Sequence, residues 1–378
     1  ITQFDASNLP CQIAGEIPDF NVEEYMEKKA ARRMARSAQI ALAAATQALQ
    51  DAGMPGEVPE PERTGVMFGT AIGGLERAGD GIVQLRTSGS DRLNPFIVPS
   101  GIPNLSAYII SKQFQALGPN ATIATACATG TQAVGEAAEM IRRGAADVVI
   151  SGGTEALIQD FAIAGFCAMR ALPVNYNNDP TRASRPFDAK REGFIFSEGS
   201  ASLVLEELEH AKARGATIYA EVAGAASSSD GYDIAAPHPE GLGAIRCMRW
   251  ALQDAGIPPA EVDYVNTHGS STPLNDSGET RAIKAVFGEH AYKLAVNSTK
   301  SMTGHAMGAS GAIEAMACAL QLRHGVLHPT INYENPDPEC DLDYVPNVSR
   351  PQAIRVALSN SFGLGGQNAC LVLTRYDG

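Results

Sequence analysis

The chain has 378 residues, 44% of them hydrophobic and 19% charged, with 37 glycines, 22 prolines and a mean hydropathy of −0.09. That composition excludes disorder, collagen and coiled coil, and the length allows a large core and about two domains. Acidic residues outnumber basic ones 42 to 29, and the resulting charge of −13 repels nucleic acid backbones.

In chain order, residues 23–38 (EEYMEKKAARRMARSA) read as a basic helix, with Lys28, Arg32 and Arg36 at i, i+4 spacing and Lys29 and Arg33 one step round. Residues 36–52 carry apolar positions at helical spacing and stop at Gly53. VMFGTA (66–71) reads as a buried strand, and ATIATA (121–126) as a β-prone run leading into Cys127. The following helix, GTQAVGEAAEMIRRG, closes on Arg142, Arg143 and Gly144, as a C-terminus should. Strands follow at 147–153 and 200–208, separated by a long irregular stretch at 173–186.

The pattern then repeats: a strand at 219–231, a helix at 241–256, a strand at 262–268 ending on His268, a helix at 275–288 and a strand at 294–300. A glycine-rich stretch, MTGHAMGASG, opens the helix AIEAMACALQLRHG, and residues 355–374 read as two strands around a glycine loop. Strand–TACATG–helix–RRG in the first half mirrors strand–KSMTGHAMG–helix–RHG in the second. The expectation is an α/β fold of two pseudo-duplicated halves, residues 1–212 and 213–378, joined near 209–218.

The seven cysteines are odd in number and show no CxxC spacing, so neither a disulfide framework nor a zinc site is expected, and a reducing compartment suits them. Six of them (Cys11, Cys167, Cys247, Cys318, Cys340 and Cys370) read as small buried hydrophobes. Cys127 differs. It lies where a strand meets a helix, among small residues that admit a substrate, and the positive helix end favours thiolate there. His210, His238, His290, His324 and His328 read as structural or surface residues. His268 and His305 each end an apolar strand before small residues, which is where sites assemble in open α/β sheets. With Cys127 they form a Cys/His/His set suited to acyl transfer. The loop Phe362-Gly-Leu-Gly-Gly supplies backbone N–H groups that fit an oxyanion hole. Neither a P-loop nor a Rossmann fingerprint is present.

TACATG around Cys127, NTHGSSTPLND around His268, NSTKSMTGH ending in His305, GASGAIE to Glu314 and NSFGLGGQN around Phe362 together resemble the β-ketoacyl-[acyl carrier protein] synthases. The elongating type II fatty acid enzymes are the most similar, and the motifs run in family order across essentially the whole chain. The resemblance implies a thiolase fold, a five-layer αβαβα sandwich, in a homodimer. It implies that Cys127 carries the growing acyl chain and that His268 and His305 stabilise the enolate of malonyl-acyl carrier protein. Lys300 and Glu314 match a pair beside the histidines, and the N–H groups of Cys127 and Phe362 match the oxyanion hole. Ser270 and Thr272 match pantetheine contacts, Phe166 a gate and Ile102 a position lining the acyl pocket.

Lys28, Lys29, Arg32, Arg33 and Arg170, with Arg92 beside them, match docking positions for an acidic carrier protein. The resemblance implies no cofactor or metal beyond the phosphopantetheine on the carrier, and neither nucleic acid nor membrane as partner. Three positions depart from the usual pattern: Ser270 for threonine, Gln367 for threonine in GGxN, and Cys167 for glycine after the gate. The family's first strand is not found ahead of Ile1, so a polypeptide about 30 residues longer is expected by analogy with the family, the first sheet otherwise lacking a strand. No apolar run reaches the roughly 18 residues of a membrane span. A cytoplasmic protein is expected, or a plastid or mitochondrial one where a transit segment precedes Ile1. A polyketide ketosynthase and a non-catalytic chain-length factor are the alternatives. DTACSSS, EAHGTGT and SNIGH, common in the former, are absent, and the intact Cys127 and histidines weigh against the latter. Cys370, inside an apolar strand, does not serve as the second cysteine of a thiolase.

Overall fold

The computed structural model describes residues 1–378. In the first half, α1 (Lys28–Ala31) and α2 (Arg36–Asp51) precede β1 (Thr64–Gly69), and α3 (Leu75–Ser88), α4 (Ile97–Gly101) and α5 (Leu105–Phe114) lead to β2 (Asn120–Ala121). Then come α6 (Thr129–Arg142), β3 (Val148–Glu155), α7 (Asp160–Ala168) and β4 (Gly199–Glu206). The second half runs α8 (Leu208–Ala213), β5 (Glu221–Ser229), α9 (Leu242–Ala255), β6 (Tyr264–Asn266), α10 (Pro273–Phe287) and β7 (Ala295–Asn297). It continues with α11 (Lys300–Thr303), α12 (Ser310–His324), the short pair β8 (Val326–Leu327) and β9 (Arg350–Pro351), and finally β10 (Val356–Gly363) and β11 (Gln367–Thr374).

Two mixed sheets organise the molecule, with strand orders β2-β1-β3-β4 and β5-β11-β10-β6-β7. β1 is parallel to β2 and β3 with β4 antiparallel, just as β6 is parallel to β7 and β10 with β11 antiparallel. The sheets match in topology except at one edge: β5 pairs outside β11, whereas the outer edge of β4 carries no strand. The repeat extends to the turns. Ala126 (φ 48°) and Met307 (φ 43°) each enter a 3-10 turn that feeds α6 or α12.

Helices α6 and α12 form the middle layer and touch both sheets, α2 and α5 cover the first sheet, and α9 packs on the second with α10 against it. This is the five-layer αβαβα thiolase fold. Glycine permits the central contact: a Cβ on Gly130 would sit 2.5 Å from the Ala312 nitrogen, and one on Gly311 2.4 Å from that of Thr131. In α2, Ala38, Ala41, Leu42, Ala45 and Leu49 are buried, an i, i+3, i+4 stripe whose small residues let the helix lie close to β4.

Several expected elements are redrawn. The strand expected over 121–126 is only Asn120–Ala121. Beyond it the chain makes single bonds, Thr70 N–H to the Ile123 carbonyl at 3.1 Å and Thr125 N–H to Thr129 Oγ1 at 2.8 Å. Strand 294–300 stops at Asn297, because Ser298 turns to donate to the Gly269 carbonyl at 2.6 Å and Lys300 already begins α11. The basic segment 23–38 is not one helix but a 3-10 turn (Val22–Glu24), the four-residue α1, and a fresh start at Arg36. Arg36 leaves the basic face altogether. Its Nε and Nη2 bind both oxygens of buried Glu198 at 2.8 and 2.7 Å, and its guanidinium lies over Phe20. Helices α3, α5 and α7 have no counterpart in the reading of the sequence. No helix is long and apolar enough to cross a membrane.

Candidate active site

Cys127 occupies the 3-10 turn between the end of the first sheet and α6, and it is 5% exposed. It packs in an apolar cluster with Leu157, Ile158, Ile163, Phe194, Phe196 and Met307. The end of β10 presses on this turn from the other half. A Cβ on Gly363 would lie 2.8 Å from the Thr125 carbonyl and 3.1 Å from the Cys127 nitrogen, so only glycine fits. The N–H groups of Leu364 and Cys127 turn toward the sulphur, so the expected Phe362 N–H is corrected to that of Leu364: Phe362 still lies within β10, paired with Asn368, and the chain reaches the sulphur only beyond Gly363.

Burial pushes the Cys127 thiol up to about 11, against the opposing pull of the Lys300 charge and those N–H groups. The expectation that the helix terminus favours thiolate is therefore overturned: complete desolvation of the anion outweighs the dipole. The resting nucleophile is a thiol. Inactivation by iodoacetamide should accelerate about tenfold per pH unit from pH 7 to 9.5 without levelling off, since thiolate is the reactive form. A plateau near pH 8.5 in the measured rates would contradict this.

His268 and His305 face one another with ring centres 5.3 Å apart at 82°. His268 lies two residues beyond β6, and its loop is fixed from three sides. Its N–H and that of Gly269 donate to the two oxygens of Glu279 at 2.8 Å each, and its carbonyl accepts from Lys300 Nζ at 2.7 Å. The His305 N–H donates to the Ile195 carbonyl at 2.7 Å, and its ring stands edge-on to Phe194 with centres 5.2 Å apart. Nδ1 of His305 is 2.9 Å from Ser310 Oγ. His268 Nδ1 and His305 Nε2 are buried without a partner. Burial, then the charge of Lys300, holds both imidazoles well below their ordinary range, so both are neutral at physiological pH.

Lys300 and Glu314 form an ion pair with both side chains 1% exposed. Burial raises the Glu314 carboxyl to about 7 despite the lysine beside it. The Phe362 ring lies 5.9 Å from His268. Phe166, on α7, packs on Phe194 and Phe196 at 5.4 Å each, and Cys167 beside it is half-buried in the same cluster. Ser270 and Thr272 hydrogen-bond to each other at 2.9 Å at the head of α10.

Ile102 caps α4 and is 42% exposed, beside the apolar face of α3 and α4, while Ile72 packs against the Cys127 cluster. Of the basic residues, Lys28, Lys29, Arg32, Arg33, Arg92 and Arg170 are all exposed. Lys28 pairs with Glu23 at 3.1 Å and Arg33 lies 4.3 Å over Phe96, while Lys29, Arg32, Arg92 and Arg170 form no ion pair.

Two buried carboxyls were missed by sequence reasoning. Glu279, pushed up to about 7 by burial, braces the His268 loop. Glu155, also raised to about 7, ends β3 and accepts from Thr70 Oγ1 at 3.0 Å, Ala71 N–H at 2.9 Å and Gly308 N–H at 3.2 Å. It thereby ties the exit of β1 to the turn after His305. The available signal was an acid closing the apolar run VVISGGTE. Chemically, the pocket offers a thiol for acyl transfer, two neutral N–H donors for developing negative charge, and a rigid ionic brace beneath them.

Residues 1–211 match the family description "Beta-ketoacyl synthase, N-terminal domain", and residues 219–334 match its C-terminal domain. Proteins called 3-oxoacyl-[acyl-carrier-protein] synthase 2 from Synechocystis sp. and Coxiella burnetii are each 48% identical, across 100% and 99% of this chain and 90% of their own length. Among solved structures, a β-ketoacyl synthase from Burkholderia phymatum aligns with a TM-score of 0.89 at 35% identity, over 97% of this chain and 89% of that one. A type II polyketide ketosynthase in complex with its acyl-carrier protein aligns at 0.88 with 37% identity, over 96% and 88%.

Proposed function

The chain belongs to the β-ketoacyl synthase family, and from that premise we propose that it is an elongating 3-oxoacyl-[acyl-carrier-protein] synthase of fatty acid synthesis. The observation that carries the reading is the pair of buried, neutral histidines joined to the strand-to-helix cysteine through shared neighbours: Phe194 packs with Cys127 and on the His305 ring, and the Lys300 charge acts on all three groups.

The acyl group arrives as a thioester on the phosphopantetheine arm of acyl carrier protein, and the Cys127 sulphur exchanges with the arm. The departing pantetheine takes up the proton that the Cys127 thiol gives up, so a nucleophile with a high pKa suffices. Malonyl carrier protein follows, with Ser270 and Thr272 holding its arm and Phe166 yielding to the acyl chain. Loss of CO2 leaves an enolate whose oxygen accepts N–H groups from His268 and His305. A neutral imidazole donates without adding a full charge to the site. The enolate carbon attacks the acyl-Cys127 thioester, whose oxyanion is held by the N–H groups of Cys127 and Leu364, the two that turn toward the sulphur. Collapse releases the Cys127 sulphur, which is reprotonated, and a 3-oxoacyl carrier protein two carbons longer. The Lys300–Glu314 pair fixes the His268 carbonyl, so it orders the site more than it stabilises the fold. Decarboxylation drives the bond formation, and the reading assigns no metal or cofactor to the protein itself.

We divide the chain into halves at 212/213, between the last strand of the first sheet and the first of the second. A homodimer is supported by apolar side chains left exposed around α3 and α4, among them Ile82, Val83, Phe96 and Val98. The proposed compartment is the cytoplasm. Mass spectrometry of acyl products from the purified protein with carrier protein and malonyl donor tests the reading; absence of 3-oxoacyl product would refute it.

Carrier docking is assigned to Lys28, Lys29, Arg32, Arg33 and Arg170, with Arg92 secondary. An acidic partner meeting a protein of charge −13 needs such a local patch. The double reversal Arg32→Glu, Arg170→Glu should raise KM for acyl carrier protein roughly tenfold or more, because a rim charge opposite an acidic surface is replaced by a repulsive one. Small acyl-thioesters should be spared, and wild-type rates should fall as salt rises. An unchanged KM in steady-state kinetics would refute the docking face.

A further inference from the structure

His305 has one ring nitrogen left without a protein partner and one facing the start of α12, and the second sets what the first can do. Nε2 is buried with no protein partner, free for substrate. Nδ1 lies 2.9 Å from the hydroxyl of Ser310, the first residue of α12. Both residues are buried, at 2% and 3% exposure, so water does not stand in for either partner. The Ser310 hydroxyl makes no other hydrogen bond: it neither returns to a carbonyl of the preceding turn nor reaches a neighbouring side chain. Its proton therefore has one acceptor, the Nδ1 lone pair. The opposite arrangement, Nδ1–H donating to Ser310, leaves a buried O–H without an acceptor and turns a lone pair, not a donor, toward the pocket. The N-terminus of the 15-residue α12 adds a positive potential on the same side, which disfavours a second ring proton.

We propose that Ser310 is a positioning residue: its O–H donates to Nδ1 of His305 and thereby fixes the Nε2–H tautomer, the form that donates to the malonyl enolate. The inference rests on the role given to His305 above. Ser310 touches no reacting atom and acts only through the imidazole. His268 has no comparable hydroxyl: its Nδ1 is unpartnered, and its loop is instead fixed through Glu279 and Lys300.

The test uses the full protein labelled with 15N-histidine, read by NMR alongside malonyl-carrier decarboxylation kinetics. The wild type should carry the His305 proton on Nε2. Ser310→Ala should populate both tautomers and lower kcat for decarboxylation about twofold, in proportion to the Nε2–H fraction that remains, since a single neutral hydrogen bond shifts the tautomer ratio by roughly five- to tenfold. KM for malonyl carrier protein and acylation of Cys127 should stay near wild type, and Ser310→Thr, which keeps the hydroxyl, should restore the Nε2–H signal. A wild-type proton on Nδ1 overturns the proposal. So does a Ser310→Ala enzyme with an unchanged tautomer, whether its rate is normal or reduced, because a reduced rate would then come through packing. A His305→Ala enzyme that decarboxylates normally refutes the role of the histidine, and the tautomer measurement on Ser310 separates that failure from this one.

Discussion

Cys127→Ala is expected to abolish condensation while leaving decarboxylation of malonyl carrier protein measurable. The substitution removes the only thiol at a strand-to-helix junction that opens on the histidines; Cys11 and Cys167 share its apolar cluster but lie on other elements. Without an acyl-enzyme the enolate has no thioester to attack, so no other residue substitutes for the sulphur. The loss should reach at least ~10⁴-fold in product formation, in keeping with the removal of a covalent nucleophile. Decarboxylation persists because the groups that stabilise the enolate are intact. His268 is held by Glu279 and Lys300, and His305 by the Ile195 carbonyl and Ser310. Alanine fits without rearrangement, since Cys127 is packed as a small hydrophobe in a turn of small residues. Product analysis by mass spectrometry and a labelled-CO2 release assay read the two halves separately. An acyl group found on another cysteine of the wild type would defeat the assignment.

What the sequence revealed depended on how far each signal is local. The Cys127 junction was legible because a β-prone run, a small-residue turn and a helix with Arg142 and Gly144 at its end are contiguous. The two histidines were legible as strand ends, although both strands prove shorter than their apolar runs, β6 ending at Asn266 and β7 at Asn297. The repeat was visible in TACATG and KSMTGHAMG. Its physical basis, the matching left-handed residues Ala126 and Met307, was not, because neither of the two is glycine. Glu279 and Glu155 escaped notice because an acid on a helix or at a strand end reads as solvent-facing until the fold buries it against backbone N–H groups. Arg36 misled for the reverse reason. Its spacing fits the basic stripe, but its partner Glu198 is 162 residues away. The thiolate expectation failed because a local dipole is written in sequence while complete burial is a property of the assembled core.

His305→Ala is expected to slow decarboxylation by about 10²–10³, as the loss of one preorganised donor to an oxyanion typically does, and His268→Ala by a similar factor. The two rings stand 5.3 Å apart and nearly perpendicular, so one carbonyl oxygen between them meets both. Neither replaces the other, since each is anchored through its own backbone and cannot swing across. The pH dependence separates this account from one that uses imidazolium. Both side chains are held well below 6.5 by burial and by the Lys300 charge, so both are neutral throughout the range from pH 6 to 8. The histidines themselves should therefore cause no loss of decarboxylation rate as pH rises across that range, and any change there comes from Glu279 and Glu314, raised to about 7, whose ionisation firms the hold on the His268 loop and Lys300. A charged imidazolium donor would instead lose activity as pH rises through its pKa. Lys300→Met should shift that balance, because its removal takes away a charge that disfavours protonation of both rings and frees the His268 carbonyl. Decarboxylation then becomes more sensitive to acid, falling at a higher pH than in the wild type as neutral imidazole is titrated away. A near-normal rate in His305→Ala, or a wild-type rate that declines between pH 6 and 7.5 as the solution becomes more basic, would refute the mechanism of two neutral donors.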